Sequence, residues 1–502
     1  MRNMEYAVFV AMFAMCTFAG ATEVRPVDDI QAILDTGRNV ELQRGQIVEV
    51  SHPLMFRTSG QRIETVGSES ASDYARIVMA DGAQGALINA HGIAGATLSK
   101  LILDGNRQGF RSDDGQLVEE PMLSFGGAGA DRQVIEKCIV MNGRCSGGWG
   151  AIHVQEGGKD IVVRENVVFS AGADIRGNGR SAFEKPFGWG DGISTASRNT
   201  LIENNLIYDA TDEGIMLQGA PGSQVRRNVV AALSREMLGG IALIDPFKYF
   251  ELDSAKKTFD YQGVVVEDNL ILAAGGRIHA GFPIGGAPWN GHFAGTVLIG
   301  ATIRNNHISG GAGGYGFVVD GVDRFEVSGN TSDAIYSGLG DGWQGMPPDE
   351  PQAFMFNPST IGDSNLQHDF VPMRKSLSGV LRARRTPKDS RNALGYRDQP
   401  YPKEEATAVV EMAFVEMLGR RPSDAERSHW MNWLQQTRSN ADMIRRNLMT
   451  TPEFVSQHGF VDPLELHRWR KERWLRMILQ CCSDGPADAR TWHTNLMEAL
   501  YE

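Results

Sequence analysis

Two stretches decide how this chain is read: Val162-Val163-Arg164-Glu165-Asn166-Val167-Val168 and Leu201-Ile202-Glu203-Asn204-Asn205-Leu206-Ile207. Each sets a short β-favouring run, a polar corner ending in Asn, and a second apolar run. The pattern returns around Asn228, Asn269, Asn306 and Asn330, with intervals of 23 residues from 205 to 228 and 24 from 306 to 330. A second motif interleaves with it, a Gly before an apolar strand: Gly150-Ala151-Ile152, Gly192-Ile193-Ser194, Gly214-Ile215-Met216, Gly240-Ile241-Ala242 and Gly316-Phe317-Val318. Its spacing is 22 residues from 192 to 214 and 26 from 214 to 240. Short Val/Ile-rich strands at such a period, separated by polar turns, indicate a solenoid and exclude helical repeats.

One coil per two dozen residues suits a mainly β chain wound as a right-handed parallel β-helix, its strands stacking at about 4.8 Å per coil. The recurrent Asn is then scaffolding, each amide bonding to its equivalent on the next coil. Val27 to Leu34 reads as a short amphipathic helix ended by Gly37 and placed to cap the first coil. Strands are expected near 40–42, 47–50, 63–66, 77–79, 87–89 and 101–103.

Over roughly residues 25–340 these motifs resemble the pectate-lyase-like β-helix superfamily. That resemblance implies polysaccharide lyases, hydrolases and epimerases, but also noncatalytic tailspikes and adhesins. It specifies a fold better than a reaction.

Aligning the Gly motifs sets Asp191 over Glu213, 22 residues and one coil apart, with Asp212 beside Glu213. Like charges so close raise at least one pKa, leaving a proton donor next to an ionised partner, as glycosidic cleavage requires. Asp191-Gly192-Ile193 and Asp212-Glu213-Gly214-Ile215 resemble the first two elements of polygalacturonase-type hydrolases, and Arg277-Ile278-His279 resembles an altered last one. The Gly-His-Gly element between them is missing, because Gly239 stands at the histidine position. Ile244-Asp245-Pro246-Phe247-Lys248 resembles the Asp-Pro-His of mannuronan C5-epimerases with Phe247 replacing the histidine. Lys248, Tyr249 or His279 would then have to supply the base.

The catalytic candidates are therefore Asp191, Asp212 and Glu213. Arg277, His279, Asp245, Lys248, Tyr249, Arg180 and Trp189 are the substrate-binding candidates. Long connections around 166–192, 245–262 and 279–297 carry aromatic and cationic residues such as Trp189, Lys248 and Phe282, a composition suited to an acidic sugar polymer. His153 follows Gly150-Ala151-Ile152 and can face either side of its strand. No cofactor and no Cys/His metal spacing is evident, although the acidic cluster could hold calcium.

The chain of 502 residues carries a formal net charge of −12, which excludes nucleic-acid binding through bulk charge. Arg2, an apolar run from Tyr6 to Phe18 and Ala19-Gly20-Ala21 read as a signal peptide over 1–21, so export to the periplasm or outside the cell is expected. No later segment is apolar enough to span a membrane. Cys138, Cys145, Cys481 and Cys482 remain; the first two could bridge, and Cys138 also reads as core.

The β-helix is expected over 22–345, followed by a basic linker over 346–402 and a small all-α domain over 403–502. Residues 373–403 hold nine Lys/Arg against Asp389 and Asp398, read as a solvated linker or a contact for an anionic glycan. Ala406 to Leu418 shows helical spacing, and Ser423 with Glu426 forms a capping-box pattern. With Trp430 to Leu434 and Thr451-Pro452-Glu453-Phe454, these residues resemble the DUF4214 family over about 405–460. Three readings stay open: an exported glycoside hydrolase, a lyase or epimerase of a uronic-acid polymer, and a noncatalytic glycan-binding or surface protein. Nothing in the sequence fixes the oligomeric state.

Overall fold

The computed structural model describes residues 30–437, apart from 107–119, 144–149, 170, 173–189, 233–235, 245–257, 274–276, 286–296, 311–312, 333, 335–352, 357, 368–402 and 419; residues 444, 448, 451 and 453 are also described. The expected signal peptide, Cys145, Cys481 and Cys482 lie outside these residues.

The solenoid is a parallel β-helix of three sheets, each coil giving one strand to each sheet. One coil reads Val162–Arg164, Val167–Phe169 and Ile193–Thr195, and the next begins at Leu201–Glu203. Register follows the motifs, pairing Val163 with Ile202, Val168 with Ile207 and Ile193 with Ile215. Alternate residues of all three sheets point inward and form one continuous apolar core, including Val163, Val168, Ile193, Ile215 and Phe282.

The Asn motif is the corner between the first and second sheets. Asn166 donates from both its backbone N and Nδ2 to Asn205 Oδ1, each at 3.0 Å, and Asn205 does the same to Asn228 Oδ1 at 3.0 and 2.9 Å. The ladder continues through Asn269, Asn306 and Asn330 and ends on Gln367 Oε1. The residue before each amide takes the left-handed region, as at Glu165 (φ 56°) and Arg227 (φ 53°). That conformation costs about 1–2 kcal/mol for a side-chain-bearing residue, so the buried amide bonds hold the corner against a local preference.

Cys138 occupies the ladder slot one coil earlier. It is buried and unbridged, and its backbone N donates to Asn166 Oδ1 at 2.9 Å.

The glycines of the second motif face inward at the start of the third sheet. A Cβ on Gly192 would run into Ile207, and one on Gly214 into Val230; at Gly281 it would lie 2.9 Å from Ile308 Cδ1. Those branched residues on the second sheet occupy the space, so small residues recur here. Ile152 pairs with Ile193, which puts Ala151 in this inward column and Gly150 in line with Asp191. The first copy of the motif is thus displaced by one residue.

Outward positions on the first sheet alternate in sign, Glu136, Arg164, Glu203, Arg226, Glu267 and Arg304 pairing in register. A slip of one coil would set like charges side by side.

At the N-terminal end a helix, Ile30–Asp35, tucks Ile30 and Leu34 into the core and stops before Gly37. At the other end Phe354–Phe356 pairs with the third sheet, and Asn365 bridges to Glu326. Both lie in the stretch that composition marks as linker.

Strands also replace parts of the expected loops. Thr258–Glu267, with a register shift between Asp260 and Val264, and Arg277–Ile284 are strands, and Phe282 is buried and stacked on Phe317 at 4.7 Å. Phe282 is therefore a core residue and is not available to a sugar.

In the C-terminal part, Lys403–Leu418 and Asp424–Thr437 are helices sharing an apolar cluster that includes Phe414 and Leu434, with Trp430 and Trp433 packed against it. The capping box forms: Ser423 N donates to Glu426 Oε2 at 2.8 Å, and Glu426 N donates to Ser423 Oγ at 3.3 Å. Most of the remaining tail lies outside the described residues. No described helix is long and apolar enough to cross a membrane.

Candidate active site

Asp191 and Glu213 occupy successive coils at the first corner of the third sheet, immediately before the inward glycines Gly192 and Gly214. A Cβ at Gly150, in line with Asp191, would meet the outward Ser194, and one at Gly239, in line with Glu213, would meet Pro283 and Glu213 itself, so the acids project from the outer side of the sheet. Their backbones lock together, with Gly192 N donating to Glu213 O at 2.8 Å and Glu213 N donating to Asp191 Oδ1 at 3.2 Å.

Asp212 is fixed by Asp212 N donating to Gly190 O at 3.2 Å and Leu238 N donating to Asp212 O at 3.0 Å. Thr211 Oγ1 accepts from Gly190 N at 3.1 Å and ties the same two corners. One oxygen from each of the three carboxyls lies within 4.8 Å of the others.

The cluster is sheltered. Asp191 and Glu213 have 0% exposure and Asp212 has 6%, so all three are buried. Burial is the largest influence on all three. It pushes Asp212 up to about 6, and burial together with the Asp212 charge holds Asp191 and Glu213 well above the ordinary carboxylic range. Glu213 feels the charge of both neighbours, Asp212 and Asp191, in addition to its burial.

No N–H or hydroxyl donor of the described residues reaches Asp191 Oδ2, Glu213 Oε1 or Glu213 Oε2. The cluster offers one oxygen from each residue to a divalent cation.

Gly239 is the register partner of Glu213, and a Cβ there would come within 3.0 Å of Pro283 Cγ and 3.2 Å of Glu213 Cγ. A ring at this position would displace the carboxyl.

His279 lies on the strand Arg277–Ile284, two coils beyond Asp212, and is buried. That separation, roughly 10 Å at one strand spacing per coil, keeps it out of direct contact with the cluster. Arg277 begins the same strand, opposite Glu236. Arg180, Trp189, Asp245, Lys248 and Tyr249 lie outside the described residues.

The sequence alone lets His153 face either side of its strand. His153 points outward between the core residues Ile152 and Val154, and its Nδ1 lies 2.7 Å from Ser194 Oγ. Burial lowers this imidazole to about 4, so it is neutral at ordinary pH. The usable signal was period-two alternation along 152–154, which becomes decisive once Ile152 is known to face the core.

No protein-family profile matches the chain, and no curated protein matches it. Solved structures with a similar fold include an A-module of a mannuronan C-5 epimerase from Azotobacter vinelandii (15% identity, TM-score 0.35, covering 66% of this chain and 94% of that one). Endopolygalacturonase I from Stereum purpureum, complexed with two galacturonates, matches with 16% identity and TM-score 0.39, covering 68% of this chain and 98% of its own. The tailspike of E. coli bacteriophage HK620, in complex with a hexasaccharide, matches with 10% identity and TM-score 0.42, covering 70% and 62% respectively.

Proposed function

We propose that this protein is an exported polysaccharide hydrolase whose acid–base machinery is Glu213, Asp212 and Asp191. The observation that carries the proposal is the convergence of three buried carboxyls from adjacent corners. Glu213, protonated, gives its proton to the glycosidic oxygen as the C–O bond breaks. Asp212, the least shifted of the three, draws a proton from water as that water adds to the anomeric carbon. Asp191 fixes the Glu213 backbone and adds the negative charge that keeps the Glu213 proton in place.

An acidic polymer remains the preferred substrate on sequence grounds, through Arg277 and the cationic connections. The test is release of new reducing ends from neutral and uronate polysaccharides by the wild-type chain. A uronate lyase would instead leave an unsaturated product with its own ultraviolet absorbance.

The 0% exposure of Asp191 and Glu213 favours a second reading, a β-helix that binds glycans without cleaving them. Binding without turnover across the panel would select it.

A further inference from the structure

One outward column of the third sheet changes character at the carboxyl cluster. In register it runs Met55, Asn89, Ser124, His153, Ser194, and then Met216, Ala242, Pro283 and Val318. The four positions immediately before the cluster, Asn89 to Ser194, are polar, and those after it are apolar. The polar members are not left open to water, since Ser124, His153 and Ser194 are all buried. They hydrogen-bond to each other and to Gln155: His153 Nδ1 with Ser194 Oγ at 2.7 Å, and Gln155 Nε2 donating to Ser124 Oγ at 3.1 Å.

A scaffold has no need of these groups. Met216 and Ala242 show that the same column folds with apolar residues, and burying hydroxyls and an imidazole costs stability that apolar packing would not. Gly150 adds to the case. It lies in line with Asp191, and a Cβ there would collide with Ser194 Oγ, so the chain leaves space for this hydroxyl beside the cluster.

We infer that Ser124, His153, Gln155 and Ser194 form a subsite for an uncharged, hydroxyl-rich sugar ring on the N-terminal side of the carboxyl cluster. Hydroxyl, imidazole and amide groups exchange hydrogen bonds with sugar hydroxyls and offer no cation to a uronate. The ring bound here is therefore neutral even where the polymer carries acid groups elsewhere. This deepens the glycan reading of the same site and rests on it, but it does not depend on turnover.

The experiment uses the full chain carrying Glu213→Gln, which keeps binding separate from cleavage. Its affinity is measured by calorimetry for neutral probes (oligosaccharides of dextran and galactan) and for acidic probes (oligogalacturonate and oligomannuronate). We expect a neutral probe to bind and to weaken at least tenfold when His153→Leu and Ser194→Ala are added. The thermal midpoint should be unchanged or higher, because both partners of a buried polar pair are replaced together. Ser194→Ala alone serves as a milder variant should the combined one fold poorly.

Equal binding with and without the pair overturns the inference, as does binding confined to the acidic probes or absent from all four. Loss of neutral binding together with a wild-type chain that cleaves nothing would retain the subsite and reject only the hydrolase.

Discussion

Asp191 Oδ1 accepts a hydrogen bond from the backbone N of Glu213 at 3.2 Å, one full coil further along the solenoid. A side chain on one rung thus fixes the backbone that presents the acid on the next. The carboxyl pair is built by the winding itself, with no loop required to bring it together.

Three buried acids with raised pKa values make stability fall as pH rises. Between the unfolded values near 4 and the higher folded values, the folded chain binds more protons than the unfolded chain. Their penalty is absent below about pH 4 and grows as pH climbs through the folded values. Thermal melts from about pH 4.5 to 7.5, a range that begins just above the ordinary carboxylate values, should show a falling midpoint that flattens in Glu213→Gln. A wild-type midpoint that rises steadily with pH would show that the cluster does not hold its protons.

The Asn ladder is the strongest corner of the fold. Asn228→Ala removes the acceptor used by Asn205 and the donors to Asn269 Oδ1 and Ile202 O, all buried. A loss of about 2–4 kcal/mol is expected in denaturant unfolding, from several orphaned groups at once. A change below about 0.5 kcal/mol, the range of an ordinary surface substitution, would mean that the ladder is incidental.

Cys138 sits where an asparagine would extend that ladder by one rung. Cys138→Asn should be neutral or add about 0.5–1 kcal/mol, the net value of one buried hydrogen bond, whereas Cys138→Leu should destabilise. Chemical unfolding of the two variants side by side separates the outcomes.

Gly239 lies in register with Glu213 and leaves little room for a side chain. Gly239→His should reduce whatever glycan activity the wild type has, since its Cβ would already crowd Glu213 Cγ and Pro283 Cγ. Enhanced turnover in this variant would disprove the steric account.

Much of this architecture could be read before any coordinates, because a solenoid converts period into adjacency. Asn205 and Asn228 at 23 residues, and Asp191 and Glu213 at 22, had to be neighbours once each coil was known to return to its start. The failures came where adjacency was not the question. Gly150 was aligned by residue type, although Ile152 is what fixes the register. Phe282 was assigned to a loop for want of an Asn or Gly signal, and it proved to stack in the core. The side His153 faces required the register of its coil. Burial of Asp191 and Glu213 depends on what lies across the outer face, and period carries no information about that.

The central claim is that the three carboxyls perform glycosidic cleavage, and reducing-end release compared among wild type, Glu213→Gln and Asp212→Asn tests it most directly. Turnover in the wild type with a loss of roughly 10²–10⁴ in each variant, at unchanged or higher thermal midpoint, is the expected result. Variants as active as the wild type, or a wild type that binds glycans and cleaves none, would contradict it.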